Sequence, residues 1–380
     1  MKFLILTGDE NSQSNQRIKT EIQNLGHEAE IKNPMRFVPF LSDVNGHDRL
    51  YYRTDDERQE RLIAKDYAGV VTRIGGSVFE YGMYILRQFE NLGIFVSCPA
   101  FAAENCTDKF RTSQLLSRAK VPIPRQNLSW HAENPGELIE QVDKTFPVWV
   151  KQIRGSKGVG VFQLTEPVSA NQIMESFKSI PLVIQADINK HKPGKRSDIR
   201  VLVVGAETAS PKYVAYERIS ENKDTRSNYS IHKSGRPIEL SLIEQDDVIK
   251  AAKAVGAGVC GVDLIRDEQP GSHNQGRGFV IEVNQNLGLT GIEEVTRVNC
   301  ARVIAEYVVS EANRKRPNKP FHDMAAATAH ADTFAPTNQA QIINGLESLQ
   351  QMAKHKSEGQ PFISDASIFE GITDILQMLK

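Results

Sequence analysis

The chain has 380 residues, room for two or three packed units with cores of their own. With 46 Lys+Arg against 47 Asp+Glu, no global charge favours nucleic acid or an anionic membrane, so any charged ligand must meet a local cluster. Four scattered cysteines, Cys98, Cys106, Cys260 and Cys300, lack metal-ligand spacing and fit a reducing cytoplasm, and no apolar run approaches the ~20 residues that span a bilayer.

The first hundred residues alternate strand and helix patterns. FLILT reads as a buried first strand, its apolar run being too short for a signal peptide. Ile18, Ile22 and Leu25 recur at helical spacing, and Gly26 closes that helix. A short strand at AEIKN precedes a polar, Arg- and Asp-rich stretch from Ser42 to Glu60. YAGVVTR is another buried strand. Val78, Tyr81, Ile85 and Leu92 line one face of a helix that Gly93 ends, and IFVSCP is the next strand. Strands alternating with helices imply a parallel sheet.

A helix is predicted over Thr107 to Ala119, stopped by VPIP. From Pro147 the pattern changes. PVWVKQI, GVGVFQL, PLVIQADI, DIRVLVVG and KYVAYERI follow one another with few helices, which predicts an antiparallel sheet. A helix over Gln245 to Val255 leads into the strands VCGVDLIR and GFVIEVN, and another spans Asn299 to Glu311. Beyond Ala312, NRKRPNKP reads as a linker and AAATAHADTFAPTNQA as a mobile segment. Two amphipathic stretches follow, with Ile342, Leu346 and Leu349 in one and Ile368, Ile372, Ile375 and Leu379 in the other. Such stripes are more often packing than recognition.

Three groups of residues can carry chemistry. Gly155-Ser156-Lys157-Gly158-Val159-Gly160 joins two strands, and its backbone N–H groups can cradle phosphate oxygens, although a flexible hairpin tip would read the same way. It is neither a Walker A loop nor a dinucleotide fingerprint, and the first strand–helix turn has only Gly8, which disfavours a nicotinamide oxidoreductase. Lys151, flanked by Val148, Val150 and Ile153, needs a counter-charge unless it lies at a wet sheet edge, and Lys109 opens the predicted helix. Glu282 and Asn284 share a strand face, and Asp263 joins them if the two late strands pair antiparallel. Three such oxygen donors suit Mg²⁺, whereas on a half-exposed sheet they would simply face water. Arg200, Arg218 and Arg226 could bind phosphate or carboxylate, each alone being a weak signal.

The order of these residues resembles that of RimK-like ATP-grasp ligases. Lys109, Lys151, the glycine loop, the Gln185 strand, DIR, YER, RSN, VDLIR and IEVNQNLGLTGIE carry the resemblance, which is strong from Ala100 to Tyr307 and absent beyond Ala312. It implies a mixed α/β (α+β) chain with the ATP-grasp fold. Residues 1–100 would form a Rossmann-like pre-ATP-grasp domain, 101–185 a lid subdomain, 186–312 an antiparallel-sheet catalytic subdomain, and 313–380 a linker with a short helical extension. It further implies that Lys109, Lys151 and the loop residues Gly155, Ser156, Gly158 and Gly160 hold the nucleotide phosphates. Gln185, Ala186 and Asp187 would meet adenine, and Asp198 would lie near the ribose. Asp263, Glu282 and Asn284 would hold Mg²⁺, with two ions implied and Mn²⁺ able to substitute. Arg218, Arg226 and Asn228, with Ser227, would face the reacting phosphate and carboxylate. Ala186-Asp187 departs from the Glu common in the family, and Asn286 stands where many relatives place Pro.

The resemblance implies an ATP-dependent carboxylate–amine ligase working through an acyl phosphate. It would add an amino acid such as glutamate to a peptide, protein or amino-acid acceptor, in a cytoplasmic homo-oligomer. The alternative is a catalytically silent nucleotide-binding regulator on the same fold, which would show damaged catalytic positions.

Overall fold

The computed structural model describes residues 1–41, 49–56, 58–62, 66–130, 135–155, 160–167, 172–173, 176–177, 180–189, 197–219, 234–269, 272 and 274–314. Both amphipathic stretches expected after residue 314 lie outside the described residues.

The strand β1 (Lys2–Thr7) forms the centre of a parallel sheet with β2 (Glu28–Lys32), β6 (Tyr67–Arg73) and β7 (Phe95–Val96), in the order β2-β1-β6-β7. Phe3, Leu4, Ile5 and Leu6 are all fully buried because both faces of this sheet are covered. Alternation sends Phe3 and Ile5 into one apolar cluster and Leu4 and Leu6 into another. The first face carries α1 (Gln13–Asn24), whose Ile18 and Ile22 share a cluster with Ile304, Ala305 and Val308 of the late helix α8 (Cys300–Asn313). The second face carries α2 (Phe79–Asn91) through Met83, Ile85, Leu86 and Phe89.

The polar stretch after Phe40 contributes two strands that its composition conceals. A small antiparallel sheet joins β3 (Phe37–Phe40), β4 (Arg49–Arg53) and β5 (Gln59–Leu62). Leu50 is buried, Tyr52 packs edge-on against Phe37 at 5.0 Å, and the Lys32 ammonium sits 4.0 Å from the Tyr52 ring centroid. Leu50 and Tyr52 are the apolar side chains by which β4 anchors this sheet, and arginines flank them on both sides.

The helix expected over 107–119 is present over Lys109–Arg118, and a further helix that the pattern did not predict precedes it. α3 (Ala100–Thr107) ends where the Asp108 side chain caps α4 (Lys109–Arg118), accepting from the Arg111 N–H at 2.9 Å. Residues 101–121, which the resemblance assigns to the lid, bury Ala102, Ala103, Cys106, Leu116 and Val121 in the cluster that also holds Val201 and Val262. A separate core of Val148, Val150, Leu164, Phe177, Leu182 and Ile184 supports a four-stranded antiparallel sheet. Its strands are β8 (Gln126–Ser129), β9 (Val148–Gln152), β10 (Val161–Leu164) and β11 (Leu182–Ala186), in the order β10-β9-β11-β8. The helix α5 (Pro135–Val142) lends it Ile139 and Val142.

A five-stranded antiparallel sheet follows, in the order β14-β13-β12-β15-β16. It comprises β12 (Ser197–Val204), β13 (Lys212–Ile219), β14 (Gly235–Pro237), β15 (Val259–Arg266) and β16 (Gly278–Asn284). Its apolar face, with Ile199, Val201, Val203, Val262 and Leu264, packs with α6 (Leu242–Val255). Ser241 and Glu244 form a capping box at the start of α6, three residues ahead of the expected start. Gly256 ends it at φ 82°, where a Cβ would sit 2.5 Å from the Phe101 ring. The short helix α7 (Thr290–Thr296) packs Ile292 into the cluster around Phe3.

At the end of α2, the Glu90 carboxylate accepts from the Ala100 N–H at 2.9 Å. Burial pushes its pKa up to about 7 from the ordinary 4.5, and the Glu104 charge acts the same way. A raised carboxyl pKa adds stability that is complete below about pH 4.5 and lost as pH rises through about 7. Glu90→Gln should therefore match the wild type in urea unfolding at pH 4.5. At pH 8 it should be more stable by about 1–2 kcal/mol, the full linkage value being reduced by the partial exposure of this group.

Candidate active site

The polar face of the five-stranded sheet is a lattice of charges set by strand register. Asp198 lies directly across from Arg218, Arg200 across from Asp263, and Asp263 across from Glu282. Arg218 donates from Nε and Nη2 to the two Asp198 oxygens, both at 2.6 Å, and from Nη2 to Asp263 Oδ2 at 3.0 Å. Arg200 donates from Nε to Asp263 Oδ1 at 2.8 Å and from Nη2 to Oδ2 at 2.6 Å.

Arg218, Asp198 and Asp263 are all buried. Burial drives the Asp263 pKa upward, but Arg200 and Arg218 overcome it and hold the carboxyl at about 2. Burial likewise opposes charge on Arg218, and Asp263 and Asp198 more than restore it. The two roles separated by the resemblance, Asp198 beside a ribose and Arg218 at the reacting phosphate, thus fall on side chains that grip each other.

Glu282 and Asn284 occupy one face of β16, as their spacing requires, and the Asn284 Nδ2 lies 3.5 Å from Asp263 Oδ2. A bulge after Asp263 lets β16 place Val280 and Val283 in the core while turning Glu282 to the polar side. Among the described residues Glu282 accepts no hydrogen bond, so its oxygens are free to act as donors. The counter-cations of Asp263 are guanidinium groups. Any metal there would share its oxygens with Arg200 and Arg218. Among the described residues no three His, Cys, Asp or Glu side chains gather as a metal site; the cluster is two carboxylates and one amide. All three present hard oxygen atoms, and the donor set fits Mg²⁺.

The small sheet supplies the opposing charge. Lys151 sits on β9, opposite Val183 of β11 and Val161 of β10, and donates to Gln185 Oε1 at 2.6 Å. Gln185 Nε2 in turn donates to Gln126 Oε1 at 3.0 Å. Desolvation lowers the Lys151 pKa to about 8, partly offset by the Glu282 charge. Lys109 follows the Asp108 cap. Its N–H donates to the Ile153 carbonyl at 2.9 Å and its Nζ to that of Gly155 at 3.2 Å. Desolvation lowers its pKa as well, and Glu282 again opposes. Glu282 is therefore close enough to feel both ammonium groups, which brings two lysines and the acidic strand to one place.

Gly160 closes the loop at φ 70°, and a Cβ there would lie 2.6 Å from Gln152 Oε1. Ser156, Gly158, Arg226, Ser227 and Asn228 lie outside the described residues. Ala186 and Asp187 are buried at the end of β11, where Asp187 Oδ2 accepts from Gln163 Nε2 at 2.8 Å. Two arginines were missed as site residues by sequence reasoning. Arg200 was noted only as one of a series, and its pairing with Asp263 depends on a register no local pattern shows. Arg73 was read only as the end of a buried strand, though a charged residue closing YAGVVTR was a signal. It donates to Asn15 Oδ1 at 2.9 Å and to the Leu287 carbonyl at 2.7 Å.

Comparison with known proteins identifies the family. The RimK PreATP-grasp domain profile matches residues 1–102, and the RimK-like ATP-grasp domain profile matches residues 106–308. The chain is 30% identical over 326 residues to a "Probable alpha-L-glutamate ligase" of Legionella pneumophila (strain Corby), spanning 85% of this chain and 100% of that protein. A protein of the same name from Haemophilus influenzae is 31% identical over 312 residues, 81% of this chain and 97% of its own. The macrocyclase MdnC from Microcystis aeruginosa MRC, solved with its precursor peptide MdnA, superposes with a TM-score of 0.60 at 18% identity, over 82% of this chain and 100% of that one. The VanG D-Ala:D-Ser ligase from Enterococcus faecalis gives 0.53 at 15% identity, over 82% and 99%. These two share the fold. The chain belongs to the RimK-like ATP-grasp family and is an ATP-dependent ligase that forms carbon–nitrogen bonds.

Proposed function

We propose that the enzyme activates a substrate carboxylate as an acyl phosphate and transfers the acyl group to the amine of an amino acid such as glutamate. The acceptor carrying the carboxylate would be a peptide, a protein or an amino acid. Glutamate is suggested by the names of the Legionella and Haemophilus relatives. The observation that carries the reading is that Glu282 stands in register with Asp263 and is near enough to both Lys109 and Lys151 for its charge to oppose the desolvation that lowers their pKa values.

In this reading Lys109 and Lys151 bind the triphosphate, and the loop from Gly155 to Gly160 covers it. Gln185, Ala186 and Asp187 border the adenine, and Asp198 lies on the ribose side, where it also grips Arg218. Bound Mg²⁺ would neutralise phosphate oxygens, with Glu282, Asn284 and Asp263 as the residues that hold it. A second ion or Mn²⁺ fits the same oxygen chemistry. A carboxylate oxygen attacks the γ-phosphorus in line, and ADP leaves with the former bridging oxygen. The amine then attacks the acyl carbon, releasing phosphate and a proton. Arg218, Arg226 and Asn228, with Ser227, face the charge that develops on the carbonyl oxygen, and Arg200 and Asp263 fix Arg218 in place. The free, buried cysteine thiols suit a reducing cytoplasm.

Full-length enzyme incubated with ATP, glutamate and a peptide panel should release ADP and yield an amide visible by mass. Lys151→Met and Glu282→Gln should each lower ADP release by roughly 10³-fold, with circular dichroism unchanged. Undiminished turnover by either variant contradicts the assignment. ATP binding with no ADP from any pair would indicate the silent regulator instead.

The lowered Lys151 pKa predicts a second result. The ammonium is charged below about pH 8 and lost above it, whereas a triphosphate favours the charged form. Binding of a non-hydrolysable ATP analogue at pH 8.5 should take up about 0.7 of a proton. Calorimetry in buffers of different ionisation enthalpy reads this directly. The uptake should vanish in Lys151→Met.

A further inference from the structure

The strand order β2-β1-β6-β7 places a topological switch point between β1 and β6, since the chain leaves β1 for one side and returns to the other. Ligands of open parallel sheets bind outside the carboxyl ends of the strands at such a point. The last pair there is Thr7 opposite Arg73. Arg73 is 6% exposed. Its Nε is held by Asn15 Oδ1 and its Nη1 by the Leu287 carbonyl. Asn15 is itself oriented, because its Nδ2 donates to Thr7 Oγ1 at 3.0 Å and to the Asp9 carbonyl at 2.9 Å, leaving Oδ1 for the guanidinium.

Among the described residues no carboxylate pairs with Arg73, and its Nη2 donates to nothing. Desolvation alone brings its pKa down to about 10, with no neighbouring charge to restore it. That contrasts with Arg200 and Arg218, each matched by carboxylates. A buried guanidinium without an anion is costly, and an anionic ligand would relieve it. The surroundings also favour an anion. The first turn of α1 carries no acidic residue, and its Ser12 side chain makes no cap. Beside it, Gln285 Nε2 donates to the Ile74 carbonyl, which fixes the amide orientation, and the buried Gln285 Oε1 is left without a partner. One edge of the sheet thus holds an unpaired cation and an unpaired acceptor. The acceptor lies on the segment that leaves the Glu282–Asn284 strand, and Asn286 Nδ2, on the next residue, donates to the Arg73 carbonyl oxygen at 3.3 Å.

We infer that Arg73 binds the spectator carboxylate of the amino acid that supplies the amine, with Gln285 Oε1 accepting from that amine. The inference rests on the proposed ligase reaction for the identity of the ligand. An amine donor that is an amino acid keeps an ionised carboxylate throughout the reaction, and a bidentate guanidinium recognises it. The acyl-forming carboxylate meets ATP at the lysines and Glu282, so the two acids are read at different places.

The test titrates L-amino acids, glutamate included, and their carboxamides into the full chain with a non-hydrolysable ATP analogue. Wild type should prefer one amino acid over its carboxamide by about 100-fold, and Arg73→Gln should erase that preference. In turnover, KM for the amino acid should rise by a similar factor while KM for ATP stays within about twofold. Arg73→Lys, which keeps the charge but loses the fork, should retain part of the preference and guards against a folding defect in the first variant. A preference that survives Arg73→Gln overturns the inference. So does a wild type that binds none of the amino acids, or equal losses for ATP and amino acid in both variants with a matching fall in unfolding midpoint. Carboxylate-dependent binding that needs Arg73, without any ADP or amide formed, would instead sink the ligase reading and leave this site standing.

Discussion

Asp263, buried and ionised, is the constraint on which the rest of the site depends. A lone carboxylate with 2% exposure would take up a proton, because burial raises its pKa, and two guanidinium groups on neighbouring strands prevent this. The pairing also specifies register. A slip of one residue in β12 would turn Arg200 into the apolar cluster and Val201 toward the charges. Removing one member would strand the others, so the group acts as a unit and holds Glu282 and Asn284 in a fixed frame.

The two antiparallel sheets bring opposite charge to this frame from separate cores. Lys151 stands on a sheet whose own cluster, built on Val148, Phe177 and Ile184, is distinct from the larger ones. It therefore depends on Glu282 and on the Gln185 oxygen for compensation in the free protein, and its depressed pKa shows that this is incomplete. A site with unspent positive charge facing free carboxylate oxygens is suited to a polyanion and a divalent cation together. The same incompleteness recurs at Arg73, where the parallel sheet ends, with no carboxylate among the described residues.

The parallel sheet was legible because FLILT and YAGVVTR are apolar on both faces, which only a doubly covered strand requires. The shared face of Glu282 and Asn284 followed from their spacing, and Lys109 was already placed in a helix's first turn. The helix Ala100–Thr107 was missed because its small residues Ala100, Ala102 and Ala103 bury without an amphipathic stripe of large apolar side chains. β4 was missed because its inward side chains, Leu50 and Tyr52, are surrounded by arginines and gain their burial from Phe37 and Phe89.

From the sequence alone came the element types, the order of charged motifs and the family they resemble, since periodicity, caps and turns are carried by residues a few positions apart. Which charge meets which was settled by tertiary structure. Arg200 reaches Asp263 across 63 positions, and Arg73 reaches the Leu287 carbonyl across 214. Such pairings depend on strand order and register, which arise from burying apolar faces over the whole chain and leave no local trace. For the same reason, the contrast between compensated Asp263 and uncompensated Arg73 exists only in the folded protein.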